Sequence, residues 1–133
     1  MNRDSTYVWQ TILPFKLTSD VEAGTAVRVG ALVDGVATCV PATAGSDQIV
    51  GVATQSGVSG ETISVQVGGV CFDAIMGSAA SLGVFLTAGP DGRLVPAQSG
   101  DRAVGVLLSS RDPAESVLEN SSVVVMVGLT SVP

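Results

Sequence analysis

The chain of 133 residues contains no histidine and only two cysteines. Without histidine, the commonest general base and metal ligand is missing, which excludes Ser-His-Asp triads, Cys-His dyads and histidine zinc sites. Two cysteines cannot form a four-cysteine zinc site. The glycine-rich segment 77–83, GSAASLG, lacks the Lys-Ser/Thr ending of a phosphate-binding loop, and no calcium loop of spaced aspartates occurs. We therefore predict that the protein is not an enzyme and has no cofactor or metal.

Paired carboxylates are the one catalytic arrangement that the composition leaves open. Five aspartates could converge in space, but most of them stand at predicted turns, where aspartate is common because its side chain bonds the local backbone. We expect turn formation rather than hydrolysis from these residues, which are Asp34, Asp47, Asp73, Asp91 and Asp101.

Charged residues are also scarce, at 14% of the chain, with twelve acidic and six basic side chains. The basic residues are scattered singly, so no cluster is available to displace counterions from nucleic-acid phosphates. The net charge of −6 gives no attraction to anionic membranes. The longest apolar run, Val123 to Val127, is too short to span a bilayer. We expect neither a nucleic acid nor a membrane as partner.

The first ten residues, MNRDSTYVWQ, have no apolar segment behind the arginine and do not read as a secretory signal. We expect synthesis in a cytoplasm, where thiols stay reduced. Cys39 and Cys71 each lie in an apolar, strand-like stretch. This context favours buried free thiols that pack as small apolar side chains, with a disulfide or a reactive thiol as the alternatives.

The residues that are abundant favour strands joined by tight turns. Apolar residues make up 46% of the chain, and 16 glycines separate runs rich in valine. The Asp-Gly pairs at 34–35 and 91–92 stand between apolar runs and predict hairpin turns, because glycine supplies the positive φ that such turns require. No long amphipathic helix separates the strands. These patterns predict an all-β fold, either a small barrel or a sandwich, and the internal repeat favours the barrel.

Two parts of the chain repeat one another. The segment VPATAGSDQIVGVA at 40–53 is echoed by VPAQSGDRAVGVL at 95–107, and neighbouring strand-like runs extend the match to about 29–68 and 82–128. The unit is therefore about 50 residues long. Its clearest matches are Pro41 with Pro96, which are 55 residues apart, and Gly51 with Gly105, which are 54 apart.

The repeat predicts how the barrel closes. One unit alone would leave an apolar face and two strand edges bare. We therefore expect two half-barrels that close on each other around one core. In this alignment the run 29–33 in the first copy corresponds to 82–86 in the second.

The second copy carries six more residues than the first between its last two strands, within the segment 109–122. Asp112 is a suitable N-cap, Pro113 suits the first turn of a helix, and Glu115 stands where a capping box needs it. We predict one short helix, over Pro113 to Glu119.

Residues 1–22 form an N-terminal arm in this interpretation, and residues 23–133 form the barrel domain. The arm has no counterpart in the second copy beyond a possible match of Phe15 with Phe72. It could pack on the barrel as a further strand, or it could dock into another protein, because large aromatic side chains are typical anchors of interfaces. The docking candidates are Tyr7, Trp9, Ile12, Leu13 and Phe15.

The run Val123 to Val127 is apolar at every position, unlike the strand at 63–67, which alternates with Ser64 and Gln66. A strand of this kind needs cover on both faces, either inside the fold or from a neighbouring chain. Its candidate residues for a subunit contact are Val123, Val125, Val127 and Leu129.

Several of these segments resemble a known family, the small capsid cement or head decoration proteins of tailed bacteriophages. The similarity lies in GETISVQVGGV at 60–70, in the strand start Leu82-Gly83-Val84-Phe85 and in the run AVGV at 103–106. It extends over about residues 22–129 and departs from the family pattern at 112–122.

The resemblance implies a β-barrel or β-tulip domain that forms homotrimers and binds the outer surface of the expanded phage head. Its partner would be the major capsid protein of the same phage, and its role would be to stabilise the head against internal pressure. The resemblance also assigns part of the capsid contact to the N-terminal arm. The alternative is a receptor-binding or glycan-binding β-module on a virion surface, which would use loops such as 43–47, 54–61 and 109–122.

Overall fold

A computed structural model of the chain describes residues 10–110, 116–117 and 122–132. All regular structure in these ranges is β-strand, which confirms the predicted all-β class. The strands are β1 (Gln10–Leu17), β2 (Ala26–Val29), β3 (Thr38–Pro41), β4 (Ile49–Ala53), β5 (Thr62–Ile75), β6 (Ala80–Ser81), β7 (Phe85–Ala88), β8 (Leu94–Pro96), β9 (Arg102–Ser110), β10 (Ser116–Val117) and β11 (Ser122–Ser131).

The order of the strands displays the internal repeat. The main sheet has the order β1-β3-β2-β4-β5-β11-β9-β7-β8. The strands β3, β2, β4 and β5 of the first copy correspond to β8, β7, β9 and β11 of the second, which stand in the reverse order. The register agrees: Val27 on β2 pairs with Pro41 and Gly51, and Leu86 on β7 pairs with the matched residues, Pro96 and Gly105. The structural equivalent of Leu86 is therefore Val27, and the alignment of the runs 29–33 and 82–86 was wrong at this strand.

The first copy closes into a ring of five strands. β1 pairs antiparallel with β5 and parallel with β3, which joins the two ends of the series β3-β2-β4-β5. We call this closed unit the first ring. Closure satisfies the backbone groups that would otherwise stand unpaired along β3 and β5.

The second copy builds the same ring with part of β5 in place of β1. The C-terminal half of β5 pairs antiparallel with β11, and Met76, just after β5, forms a parallel bridge to Leu94 on β8. This bridge corresponds to the parallel pairing of Leu17 with Cys39 in the first ring. We call this unit the second ring. The 14 residues of β5 thus serve both rings.

This arrangement corrects two expectations. Residues 10–17 do have a counterpart in the second copy, which is the segment 69–76. The sequence conceals this match because QTILPFKL and GVCFDAIM share no residue at the same position. The two copies also do not close around one core, since the buried side chains form two separate clusters.

The cluster of the first ring has a position-by-position equivalent in the second. Leu17 on β1 corresponds to Met76 just after β5, and Ile63 on β5 corresponds to Val123 on β11. The cluster of the second ring is larger because it also takes in Ala26, Ile49 and Val52 from the first copy. The two rings are therefore packed against each other. The buried residues of the first ring's own cluster are Leu17, Val21, Val27, Cys39, Ala53, Ile63 and Val65.

Both predicted Asp-Gly turns are present. Val33 and Val36 exchange two backbone hydrogen bonds of 3.2 and 2.9 Å around Asp34 and Gly35, and both central residues have positive φ, at 53° and 75°. Two consecutive positive φ values define the turn whose twist suits a two-residue hairpin loop. In the second copy Gly92, with φ of 84°, closes a turn by donating to the Gly89 carbonyl at 3.0 Å.

The echoed loops after Pro41 and Pro96 are closed by the same device. The Asp47 carboxylate accepts from the backbone N–H of Thr43 at 2.8 Å, and the Asp101 carboxylate accepts from that of Gln98 at 2.9 Å. The two loops also meet, because the Arg102 N–H donates to the Gly45 carbonyl at 2.8 Å. The two similar sequence segments after Pro41 and Pro96 therefore form a pair of loops, each closed by an aspartate carboxylate, where the two copies meet.

Replacing Asp47 with Ala should lower the free energy of unfolding by about 1 kcal/mol, because the N–H groups of Thr43 and Ala44 lose their acceptor. Ser46→Ala, at an exposed position in the same loop, serves as the control and should be neutral. Urea unfolding of both variants checks the difference, and equal stabilities would contradict the role of the carboxylate.

The predicted helix at 113–119 is not found where the structure describes this segment. Ser116 and Val117 form the short strand β10, which pairs antiparallel with β6. The first copy has the equivalent contact as a single bridge between Val21 and Gly57. Pairing with an available strand edge satisfies the backbone of 116–117 and replaces the helix suggested by the local capping pattern. The rest of the predicted helix lies outside the described residues.

Candidate functional site

The last long strand, β11, has one buried face and one exposed face. Val123, Val125 and Val127 point into the core of the second ring. Their side chains are thus covered inside the fold, and this placement corrects their assignment to a subunit contact. Leu129 lies on β11 as well, but its side chain is outside the described part of the chain.

The opposite face of β11 belongs to a row of apolar side chains that crosses four strands. Met126 pairs with Val106 on one side and with Val70 on the other, and Val106 pairs in turn with Phe85. Residues that pair directly in an antiparallel sheet place their side chains on the same face. Phe85 and Met126 are each 42% exposed, and the two valines are half-buried. We call these four residues the apolar row.

A second exposed apolar surface lies at the hairpin between β2 and β3. Leu32, Val33 and Val36 surround its Asp34-Gly35 turn, and Leu32 is 75% exposed. The equivalent hairpin of the second copy has a connection three residues shorter, at 89–93 instead of 30–37. Sequence reasoning recognised this turn but missed its exposure. The available signal was the run VGALV, which lacks the polar alternation of a strand with one wet face.

The docking candidates of the N-terminal arm fall into three groups. Tyr7 and Trp9 lie outside the described residues. Ile12 and Leu13 are exposed on β1, where a register shift after Thr11 interrupts the pairing with β5. Phe15 is half-buried and packs against the core of the first ring. Ile12 and Leu13 thus remain available to a partner, whereas Phe15 contributes to the fold.

A pocket of about 190 Å³ lies beside Ile12, between β1, β5 and the segment 23–24. Its walls combine apolar groups such as Phe72 with polar ones such as Gln10 and Gln66. Both glutamines donate to backbone carbonyls, Gln10 to Val70 and Gln66 to Gly68, each at 3.1 Å. The two glutamines that line the pocket therefore serve the fold.

Some of the titratable side chains form ion pairs. Arg93 lies 3.3 Å from Glu22 and 3.8 Å from Asp91, and Arg28 lies 3.8 Å from Asp47. Within the described ranges, no group of three or more His, Cys, Asp or Glu is placed to hold a metal ion.

The loop at 54–61, one of those considered for glycan binding, is braced by its own polar side chains. Gln55 accepts from the Ser64 N–H at 3.0 Å, Glu61 accepts from the Val58 N–H at 2.8 Å, and Asp20 accepts from the Ser59 N–H at 3.1 Å. These acceptors shape the loop and are occupied by backbone donors.

Both cysteines are buried and free, as predicted. Burial raises the pKa of the Cys39 thiol from 9.0 to about 11, because the thiolate would lose its hydration inside the first ring. Burial also raises the pKa of Cys71. A buried thiol that resists ionisation is a poor nucleophile. The two cysteines therefore act as core side chains.

We expect Cys39 to make the fold less stable as the pH rises from about 9 to about 11. In this window the thiol ionises in the unfolded chain but stays protonated in the folded one, so that alkali favours unfolding. Urea unfolding of wild type and Cys39→Ala at a series of pH values tests this. The stability advantage of the wild type should shrink through the window, whereas parallel pH profiles would contradict the shift.

No helix long and apolar enough to cross a membrane occurs in the ranges that the structure describes.

Comparison with known proteins adds a structural likeness. No protein-family description and no curated protein sequence matches the chain. Among solved structures, it is similar to the crystal structure of the head fiber gp8.5 N base in bacteriophage phi29, with a TM-score of 0.64 and 19% sequence identity. The match covers 90% of this chain and 94% of that one. The two proteins therefore share a fold over nearly their whole lengths.

Proposed function

We propose that the protein is a structural component of a tailed-phage virion, a cement or decoration protein that binds the outer surface of the expanded head as a homotrimer. The observation that carries the proposal is the end-to-end fold similarity to a base from a phage head fiber. The sequence resemblance to head decoration proteins points to the same place in the virion. In this proposal the partner is the major capsid protein of the same phage.

The exposed apolar surfaces suit such a role. A protein that binds a lattice of identical subunits needs a rigid scaffold and surfaces that lose water on contact. The scaffold consists of the first ring, closed by β1, and the second ring, closed by the bridge between Met76 and Leu94. Ile12 and Leu13 on β1 supply one exposed apolar site, directly after the segment that contains Tyr7 and Trp9. We assign the capsid contact to this end of β1.

Such a protein would stabilise the head by mass action. A ligand that binds only the expanded lattice lowers the free energy of that state, and each occupied site adds to the effect. A trimer contacts the lattice at several points at once, so individually weak contacts combine into firm attachment.

The test adds purified protein to expanded and unexpanded heads of the phage that encodes it. We expect trimers that pellet with expanded heads only. A chain that begins at Gln10 keeps β1 and should remain a folded trimer while its binding to heads falls at least tenfold. The variant Leu13→Asp should also bind more weakly, and Val58→Asp, at an exposed valine outside β1, is the matched control.

Different results would reject different parts of the proposal. Protein that pellets with neither form of head would reject the capsid role, above all if it binds a glycan as a monomer. Undiminished binding by the chain that begins at Gln10, and by Leu13→Asp, would show that the docking surface lies elsewhere on the protein.

A further inference from the structure

The apolar row of the second ring has an equivalent in the first ring. There the paired positions are Ala26, Val52 and Gln66, which correspond to Phe85, Val106 and Met126 by strand and by register. The three residues of the first ring are at most 1% exposed, whereas Phe85 and Met126 are each 42% exposed. At these three positions the face of the repeated unit is covered in the first copy, whereas Phe85 and Met126 leave it open in the second.

The second ring covers the equivalent positions of the first ring. Ala26 and Val52 belong to the cluster of buried residues that fills the second ring. The tip of the β7–β8 hairpin lies over the same place, since the Ala26 N–H donates to the Gly92 carbonyl at 2.8 Å. Gly92 also lies against the carbonyl oxygens of Ala26 and Ala42. The covering element is therefore a neighbouring ring, with its hairpin tip on the edge of the row.

We propose that a second copy of this chain covers the apolar row, with the β2–β3 hairpin of that copy in the place that the β7–β8 hairpin holds within the chain. This contact would repeat between chains the packing of one ring on the next. The proposal names the subunit contact of the homotrimer in the proposed function and rests on it for that oligomeric state.

The composition of the two surfaces supports this pairing. The β2–β3 hairpin is the equivalent of the hairpin that covers Ala26, and its extra residues bring Leu32, Val33 and Val36 into solvent. The row it would cover carries Phe85 and Met126 where the first ring has the smaller Ala26 and the polar Gln66. Both exposed apolar surfaces would lose water in one contact, which is the main source of favourable free energy in association.

The contact joins two different surfaces of the molecule. Each copy offers one hairpin and one apolar row, so the arrangement is head-to-tail. It continues from chain to chain until a closed cyclic oligomer forms. A contact of this kind has a property that a symmetric dimer lacks. Two variants, each damaged at a different surface, still share one intact pair of surfaces when they are mixed.

Sedimentation velocity of two variants tests the proposal. Leu32→Asp places a charge on the hairpin, and Met126→Asp places one on the row; both positions are exposed, and a cooperative unfolding transition confirms that each variant folds. At a concentration where the wild type is oligomeric, each variant alone should be a monomer, with association at least tenfold weaker. An equal mixture should form a dimer that contains one copy of each. Val58→Asp, at another exposed valine, should retain the wild-type mass.

Wild-type mass for either folded variant, or a mixture that stays monomeric, would overturn the contact. If Met126→Asp does not fold, Phe85→Ser at the β7 end of the row takes its place. Oligomers that persist in the variants would reject only the contact between the hairpin and the apolar row. The capsid role and the homotrimer would not be contradicted by that result. A monomeric wild type that still pellets with expanded heads would reject both the contact and the homotrimer, but not capsid binding.

Discussion

Replacing Gly51 or Gly105 with Ala should be among the most damaging single changes in this chain, at about 3 kcal/mol of unfolding free energy each. A Cβ added at Gly51 would overlap the carbonyl oxygen of Gln66 on β5, and one added at Gly105 would overlap that of Met126 on β11. Both clashes are with backbone, which cannot turn away as a side chain can. Both glycines are buried, and a close approach of two backbones is a common reason for glycine within a strand.

Gly128→Ala is the matched control, because a Cβ at this exposed strand position meets no atom within 4 Å. Chemical denaturation of the three variants should show two strongly destabilised proteins and one close to wild type. If Gly51→Ala and Gly105→Ala unfold at the same denaturant concentration as Gly128→Ala, the close approach of the strands is wrong.

Replacing Leu17 with Ala should cost about 3 kcal/mol, because it opens a cavity in the core of the first ring. Leu17 is 1% exposed on β1, and the seven buried residues of that core leave few neighbours to fill the space. The same change at Leu13, four residues earlier on the same strand and 46% exposed, should alter stability by about 0.5 kcal/mol at most.

The comparison of Leu17→Ala with Leu13→Ala also separates two roles of the N-terminal region. Thermal unfolding should distinguish the variants by several degrees, whereas head binding should be weakened by changes at Leu13. Equal melting temperatures for the two variants would mean that β1 does not close the first ring.

The internal repeat could be predicted because its signals are residues with special backbone properties. Pro41 and Pro96, and Gly51 and Gly105, take equivalent places in the sheet, and these few positions were enough to identify two copies. The equivalence of β1 with residues 69–76 could not be predicted in this way. A strand that closes a ring needs only a suitable alternation and a free edge, so its residue types can diverge completely.

The same limit applies to the surfaces. An all-apolar strand indicates cover on both faces, but Val123, Val125 and Val127 are covered by their own ring, and only the pairing register reveals where Met126 points. Capping residues at 112–115 suggested a helix, yet a strand edge at β6 was available to 116–117. In both cases the segment that covers or pairs with these residues is distant in sequence, so a local sequence pattern cannot predict it.

The sharing of β5 by both rings has a consequence for how the protein comes apart. Residues 62–69 of this strand pair with β1, which closes the first ring, and residues 69–75 pair with β11 and help to close the second. Opening either ring therefore disturbs a strand that the other ring also needs. Independent domains would melt in two steps, but a strand in common couples the two units into one cooperative transition. The amide protons around Gly69, where the two pairings meet, should then exchange with solvent only when the whole molecule opens.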